Sequence, residues 1–243
     1  MLAASATVMN RDQDERLYGR RRGRPLRPGR QRLVETLLPR LALSLPEDAR
    51  SVERLFPRPI RRLALEVGFG AGEHLAARAQ ASPDTGFIGC EPFLNGVASL
   101  LAQIDKACLD NIRVVPDDAR PLIDALPDAV LDQVFVLFPD PWPKTRHHRR
   151  RFVGPANLDR LARVMKPGAE LCVASDHPDY VDWILIHVRA HPEFSWSARG
   201  GGDWRARPAD WPATRYEMKA RRQGLKPSFL RFLRAPRNPA ECG

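Results

Sequence analysis

Residues Leu63 to Gly72 read LALEVGFGAG: five residues of apolar strand with an acid in fourth place, then glycines at 68, 70 and 72. A short apolar run that ends in glycines and opens into a helix is how a parallel strand passes to its crossover helix. Working outward from it, apolar runs recur at Phe87 to Cys90, Ile112 to Val115, Leu131 to Leu137 and Ala169 to Ala174. Helical patterns fill the intervals, notably Leu94 to Ala107, Pro155 to Val164 and Pro178 to His191. That alternation predicts an α/β, Rossmann-like fold, a mostly parallel central sheet flanked by helices. Lys166-Pro167-Gly168 reads as a turn between helix and strand, Phe194 to Asp210 as loop, and Ser228 to Arg234 as an edge strand.

Upstream, Arg16 to Arg32 (RLYGRRRGRPLRPGRQR) has no apolar period and is expected to be a mobile arm. Ordered structure is expected from the amphipathic stretch Arg32 to Leu45, where Leu33, Leu37, Leu38 and Leu41 recur at helical spacing. The organisation expected is therefore a basic arm over 1–31 and one domain over 32–243. A chain of 243 residues suits one such core. Its four cysteines, Cys90, Cys108, Cys172 and Cys242, form no Cys-x-x-Cys pair, and the histidines show no metal spacing, so no metal is expected. No apolar run approaches the roughly 20 residues of a membrane span. A cytoplasmic protein is expected, and oligomeric state is left open.

The formal net charge of +10 is unevenly placed. Residues 1–32 carry +6, 144–151 carry +5 and 199–237 carry +8, which leaves −9 for the remainder. Three basic patches on an acidic body suit a polyanion held from several sides, with nucleic acid favoured over a merely solvated surface.

The glycine spacing discriminates between cofactors. A dinucleotide loop is Gly-x-Gly-x-x-Gly and avoids a nearby anion, because pyrophosphate sits on the helix N-terminus. Here the spacing is Gly68-x-Gly70-x-Gly72 with Glu66 two residues ahead. S-adenosylmethionine has no phosphate but carries a sulfonium and an ammonium that Glu66 can help hold. Glu91, after the second strand, stands where an acid accepts from ribose hydroxyls, and Asp118, after the third, can accept from the adenine amino group. Either acid alone could cap a helix or a turn.

The fourth strand runs into Phe138-Pro139-Asp140-Pro141-Trp142-Pro143-Lys144, where prolines on both sides of Asp140 suggest an extended course. A rigid acid beside an aromatic ring suits a flat base. This run with its tail Arg146 to Arg151, the Glu66 to Gly72 loop, and Thr214-Arg215-Tyr216-Glu217 together resemble the bacterial tRNA (guanine-N7-)-methyltransferase family over about Tyr18 to Arg234. The resemblance implies a class I methyltransferase fold and transfer of methyl from S-adenosylmethionine to N7 of a guanine in the tRNA variable loop. It implies that Glu66, Glu91, Asp118 and Asp140 bind the cofactor with Gly68, Gly70 and Gly72, and that Asp140 also serves catalysis. Substrate contacts follow at Lys144, Asp176, Thr214, Arg215, Tyr216 and Glu217. Arg146, Arg149, Arg150 and Arg151 read as phosphate contacts. Pro143 and Thr145 stand where many relatives have histidine and lysine.

Guanine N7 has a lone pair and no proton, so Asp140 reads as a positioner and charge stabiliser, not a base. Asp176, Glu217 and Asp140 remain alternatives for the acceptor that reads the guanine edge. Asp176-His177-Pro178 equally resembles a helix cap followed by a first-turn proline. The competing readings are a same-fold methyltransferase with another substrate and a non-catalytic RNA-binding protein on this scaffold.

Overall fold

A computed structural model describes residues 18–236. The expectations placed on residues 1–17 and on Cys242 lie outside the described residues.

Strands β1 (Arg62–Val67), β2 (Thr85–Cys90), β3 (Ile112–Val115), β4 (Leu131–Leu137), β5 (Met165–Ser175), β6 (Phe194–Trp196) and β7 (Ser228–Arg234) form one sheet in the order β3-β2-β1-β4-β5-β7-β6. The first five are parallel, and β7 runs antiparallel between β5 and β6. Val67 lies beside both Cys90 and Val136, so β1, β2 and β4 end level. The strand order reverses at β1, which puts a crevice at those carboxyl ends.

Successive strand residues bury on opposite faces. Leu65, Ile88, Val134 and Val136 pack with the helices α5 (Ala119–Ala125), α6 (Pro155–Val164) and α7 (Pro178–Ala190). Ala64, Phe87, Phe135 and Leu137 pack with α3 (Glu73–Ala81) and α4 (Leu94–Ala107). Val97, Leu100, Leu101 and Ile104 give α4 an apolar stripe at i, i+3, i+4 and i+7, all of it buried. Among the described residues no helix is long and apolar enough to cross a membrane.

Four local readings change. The N-terminal amphipathic stretch is two helices, α1 (Pro28–Thr36) and α2 (Leu38–Leu41): Pro28 is pre-organised for a first turn, and Pro39 has no N–H to continue the ladder. Lys166 to Gly168 lies within β5 as an irregularity, because the register jumps from Leu131 opposite Met165 to Gln133 opposite Glu170. Part of the expected loop at Phe194 is strand β6, followed by the short helix α8 (Gly202–Arg205). β6 is the edge, so β7 is interior and not the edge strand expected.

Ahead of α1, the chain from Tyr18 lies against the start of α4. Leu94 N–H donates to Arg21 O (3.0 Å), Gly23 N–H donates to Asn95 Oδ1 (2.9 Å), and Asn95 Nδ2 donates to Arg24 O (2.8 Å).

Candidate active site

The glycine loop bends through three left-handed residues, Gly68, Gly70 and Gly72, at φ of +69°, +59° and +82°. At Gly70 the left-handed conformation favours glycine, and the ring of Tyr216 lies over it, 2.9 Å from where a Cβ would sit. Glu66, 3% exposed, bonds through Oε2 to His74 Nδ1 at 2.7 Å, and His74 is 2% exposed. The imidazole lies edge-on to Phe135 and Trp211, at centroid distances of 4.7 and 6.2 Å. Its Nε2 has no hydrogen-bond partner among the described residues. Glu66, Gly68, Phe69, His74, Phe138, Thr214 and Tyr216 line one narrow cleft.

Both oxygens of Glu91 face backbone donors: Oε2 accepts from Gly70 N–H (2.8 Å) and Oε1 from Phe93 N–H (2.9 Å). The carboxylate that follows β2 therefore also shapes the loop that follows β1. Burial raises its pKa, those two bonds lower it, and Asp140 raises it again. Asp118 caps α5 by accepting from Arg120 N–H (3.0 Å) and pairs with the Arg120 guanidinium. Its neighbour Asp117 pairs with Arg21 at 2.8 Å. The buried Cys90 thiol is pushed well up, first by burial and then by Asp118, Glu91 and Asp117, so these carboxylates crowd one spot.

The Phe138 to Pro143 run is not simply extended. Phe138 and Trp142 adopt φ of +52° and +43°, and each precedes a proline. Bulky residues rarely sit there, and a following proline favours extended backbone instead. Such strain persists only where the surroundings over-determine it. Phe138 N–H is tied to Ala174 O at 2.7 Å. Asp140, between the two strained residues, is exposed and makes no hydrogen bond or ion pair among the described residues. Even so, the protein around it desolvates the carboxyl enough to raise its pKa. Its charge also contributes to raising Glu91, Tyr180 and Tyr216.

The Trp142 ring meets Tyr18 edge-on at 6.0 Å, and Arg150 lies over both rings, at 3.9 Å from Tyr18 and 5.0 Å from Trp142. Lys144, Arg146 and Arg149 are exposed on the 3-10 turn Thr145–Arg150 or at its start. The His147 imidazole is held below its usual range by desolvation first and then by Arg150, Arg146, Lys144 and Arg149. Arg151 departs from the phosphate-contact reading. Its side chain is 0% exposed, so it presents no charge to a ligand.

Thr214 is the N-cap of α9 (Arg215–Arg222), accepting from Glu217 N–H at 3.1 Å. Glu217 is buried and its carboxylate is shared by Arg207 (3.1 Å) and Arg221 (2.9 Å), which gives it a structural role and turns it away from an open base edge. Arg215 pairs with Glu73. Tyr216 is half exposed, with its ring over Gly70. The cap expected at Asp176 is not made: the N-cap of α7 is His177, without a side-chain bond. Asp176 is half-buried at the end of β5, with no hydrogen bond among the described residues.

Sequence reasoning passed over His74 and Tyr18. His74 was legible in one respect: it stands two residues after Gly72, in the first turn of α3, where a side chain can return to the strand end. Nothing local in the sequence signals that Tyr18 meets Trp142.

A family model described as "Putative methyltransferase" matches residues 61–229. Among curated proteins, the tRNA (guanine-N(7)-)-methyltransferase of Rhodospirillum rubrum is 56% identical over 229 residues, covering 93% of this chain and 90% of that protein. The protein of the same name from Rhizobium meliloti is 51% identical over 222 residues, covering 91% and 96%. Among solved structures, the 16S rRNA methyltransferase KamB superposes with a TM-score of 0.52 at 17% identity, over 73% of this chain and 89% of that one. A 16S rRNA (adenine(1408)-N(1))-methyltransferase from Catenulisporales acidiphilia superposes with a TM-score of 0.51 at 18% identity, over 81% and 94%. At these identities the two structures speak for the class I methyltransferase fold alone.

Proposed function

Because the chain belongs to the tRNA (guanine-N(7)-)-methyltransferase family, we propose that it methylates N7 of a guanine in the variable loop of tRNA, in the cytoplasm, with Asp140 at the reacting edge. The observation that carries the site is Asp140 itself: an exposed but partly desolvated carboxylate without a partner among the described residues, between two strained residues and next to an exposed basic turn.

S-adenosylmethionine supplies the methyl group when bound, and the residues present fit it. A Cβ built at Gly68 meets nothing within 4 Å, His74 keeps a buried Nε2 without a hydrogen-bond partner among the described residues, and Glu66, Glu91 and Asp118 stand at or just beyond the ends of β1, β2 and β3. Glu66 offers its charge to the amino-acid end, Glu91 to the ribose and Asp118 to the adenine. Tyr216 covers the glycine loop.

N7 attacks with its own lone pair and loses no proton, so no residue needs to act as a base. The guanine ring becomes positive as the methyl arrives. A partly desolvated carboxylate such as Asp140 stabilises that developing charge more than the neutral ground state. Lys144, Arg146, Arg149 and Arg150 hold phosphates, and Asp176 remains open to accept from the guanine edge. Incubation with labelled S-adenosylmethionine and unmodified tRNA is expected to give 7-methylguanosine in the variable loop. Label found only elsewhere in the tRNA would refute that specificity.

A further inference from the structure

Arg151 ends the basic turn, yet its guanidinium is wholly buried. Nε donates to Pro141 O at 2.8 Å, the carbonyl between Asp140 and Trp142. Nη2 pairs with Asp179 in the first turn of α7, and the rings of Tyr180 and Trp183 lie 5.0 and 5.1 Å from Cζ. Those rings are anchored in turn: Tyr180 Oη accepts from Val153 N–H at 3.1 Å, and Trp183 Nε1 donates to Val153 O at 2.7 Å. Burying a guanidinium is strongly unfavourable unless it is paired and hydrogen-bonded. Exposed arginines stand beside it on the same turn, so phosphate binding does not account for this one.

We propose that Arg151 is a positioning residue: clamped by α7, it fixes the Pro141 carbonyl and so sets the Asp140 carboxylate and the left-handed Trp142. The peptide it holds lies one residue after Asp140 and directly before Trp142, inside the strained run. The fork geometry matters, because one guanidinium reaches carbonyl and carboxylate together while an ammonium is a single point charge. The catalytic part of this inference rests on the reading of Asp140 as the reacting edge.

The test compares full-length wild type, Arg151→Lys, Asp179→Asn and Arg149→Ala. Arg151→Lys is expected to lower kcat for tRNA methylation tenfold or more, with KM for S-adenosylmethionine, tRNA affinity and its salt dependence within twofold of wild type. Hydrogen exchange is expected to quicken at the Phe138 amide, which donates to Ala174 O, and not elsewhere in the sheet, which a general loss of stability would not produce. Arg149→Ala, which removes a phosphate contact, is expected instead to lose about 0.9 from the slope of log affinity against log salt, with exchange at Phe138 as in wild type. Should Arg151→Lys fail to fold, Asp179→Asn carries the comparison, with a few-fold loss of kcat and the same local exchange. Loss of tRNA affinity and slope in Arg151→Lys, or wild-type kcat and exchange, would overturn the proposal. A wild-type protein that methylates no tRNA would instead refute the functional reading, and the exchange at Phe138 would still decide the role of Arg151.

Discussion

Gly96→Ala sets two effects of opposite sign against each other. Gly96 is the third residue of α4, where alanine would ordinarily gain about 0.5–1 kcal/mol over glycine. A Cβ there, however, falls far inside 3.0 Å of Gly70 O, 3.1 Å from Gly70 C and 3.3 Å from Glu91 Cγ. The obstacle is backbone, and Gly70 is itself tied through its N–H to Glu91 Oε2 at 2.8 Å. Either α4 or the glycine loop must move, and overpacking of that kind costs about 1–3 kcal/mol. The net expectation is a loss of about 1–2 kcal/mol, equivalent to a fall in Tm of about 2–8 °C for a chain of this size. Because the clash falls on the loop and on Glu91, S-adenosylmethionine affinity is expected to fall tenfold or more, about 1.4 kcal/mol. Calorimetric titration with S-adenosylmethionine and a thermal melt check both. A variant that melts higher than wild type and binds the cofactor equally well would show that helix propensity wins and that the loop does not bear on α4 as described.

Three further outcomes are expected. Burial raises the Asp140 pKa above its ordinary 3.8, so the stability it contributes is present below 3.8 and lost as pH rises through the folded-state value. Asp140→Asn should therefore melt higher than wild type at pH 7 but not at pH 3, while abolishing the acid limb of the rate profile along with most of kcat; equal melting at pH 7 would contradict the desolvation. His74→Phe leaves the buried Glu66 without its partner and should cost about 1–3 kcal/mol, a fall in Tm of about 2–12 °C, with partial rescue by His74→Gln; an unchanged melt would make the 2.7 Å bond energetically idle. Arg21→Ala breaks an exposed pair with Asp117 and should change stability by no more than about 1 kcal/mol, which a melt shift beyond about 4 °C would contradict.

What the sequence disclosed and what it hid divide along physical lines. The strand at Leu63, the glycine loop and the stripe on α4 rest on period and local conformational preference, and they were legible within a dozen residues. The level strand ends followed from the parallel alternation, and with them the nearness of Glu66 and Glu91. β6 has three residues, too few to display alternation, and the interior place of β7 is a matter of topology. Arg151 could not be told from Arg149 and Arg150, because three adjacent arginines have one composition and different destinations. Which of them is buried depends on α7 returning past the turn, 28 residues later in the chain. Glu217 was hidden for the same reason, since its partner Arg207 arrives from the α8 side.

The strain in the Phe138 to Trp142 run argues that this segment has been shaped for geometry at some expense in stability. Two bulky pre-proline residues in left-handed conformations cost roughly 1–3 kcal/mol each, and local sequence offers nothing to offset that. The restraints come from three separate elements: Ala174 on β5 through Phe138 N–H, α7 through Arg151 to the Pro141 carbonyl, and the segment before α1 through Tyr18 with Arg150 over Trp142. A carboxylate that only had to be present could sit on a relaxed loop. One that must face a ring gaining charge along a single direction gains from being fixed beforehand, because reorientation during the reaction would consume the stabilisation it provides. The restraints also make distinct demands. If Tyr18 serves only to hold Trp142, Tyr18→Phe should be silent and Tyr18→Ala should lower kcat without changing cofactor affinity.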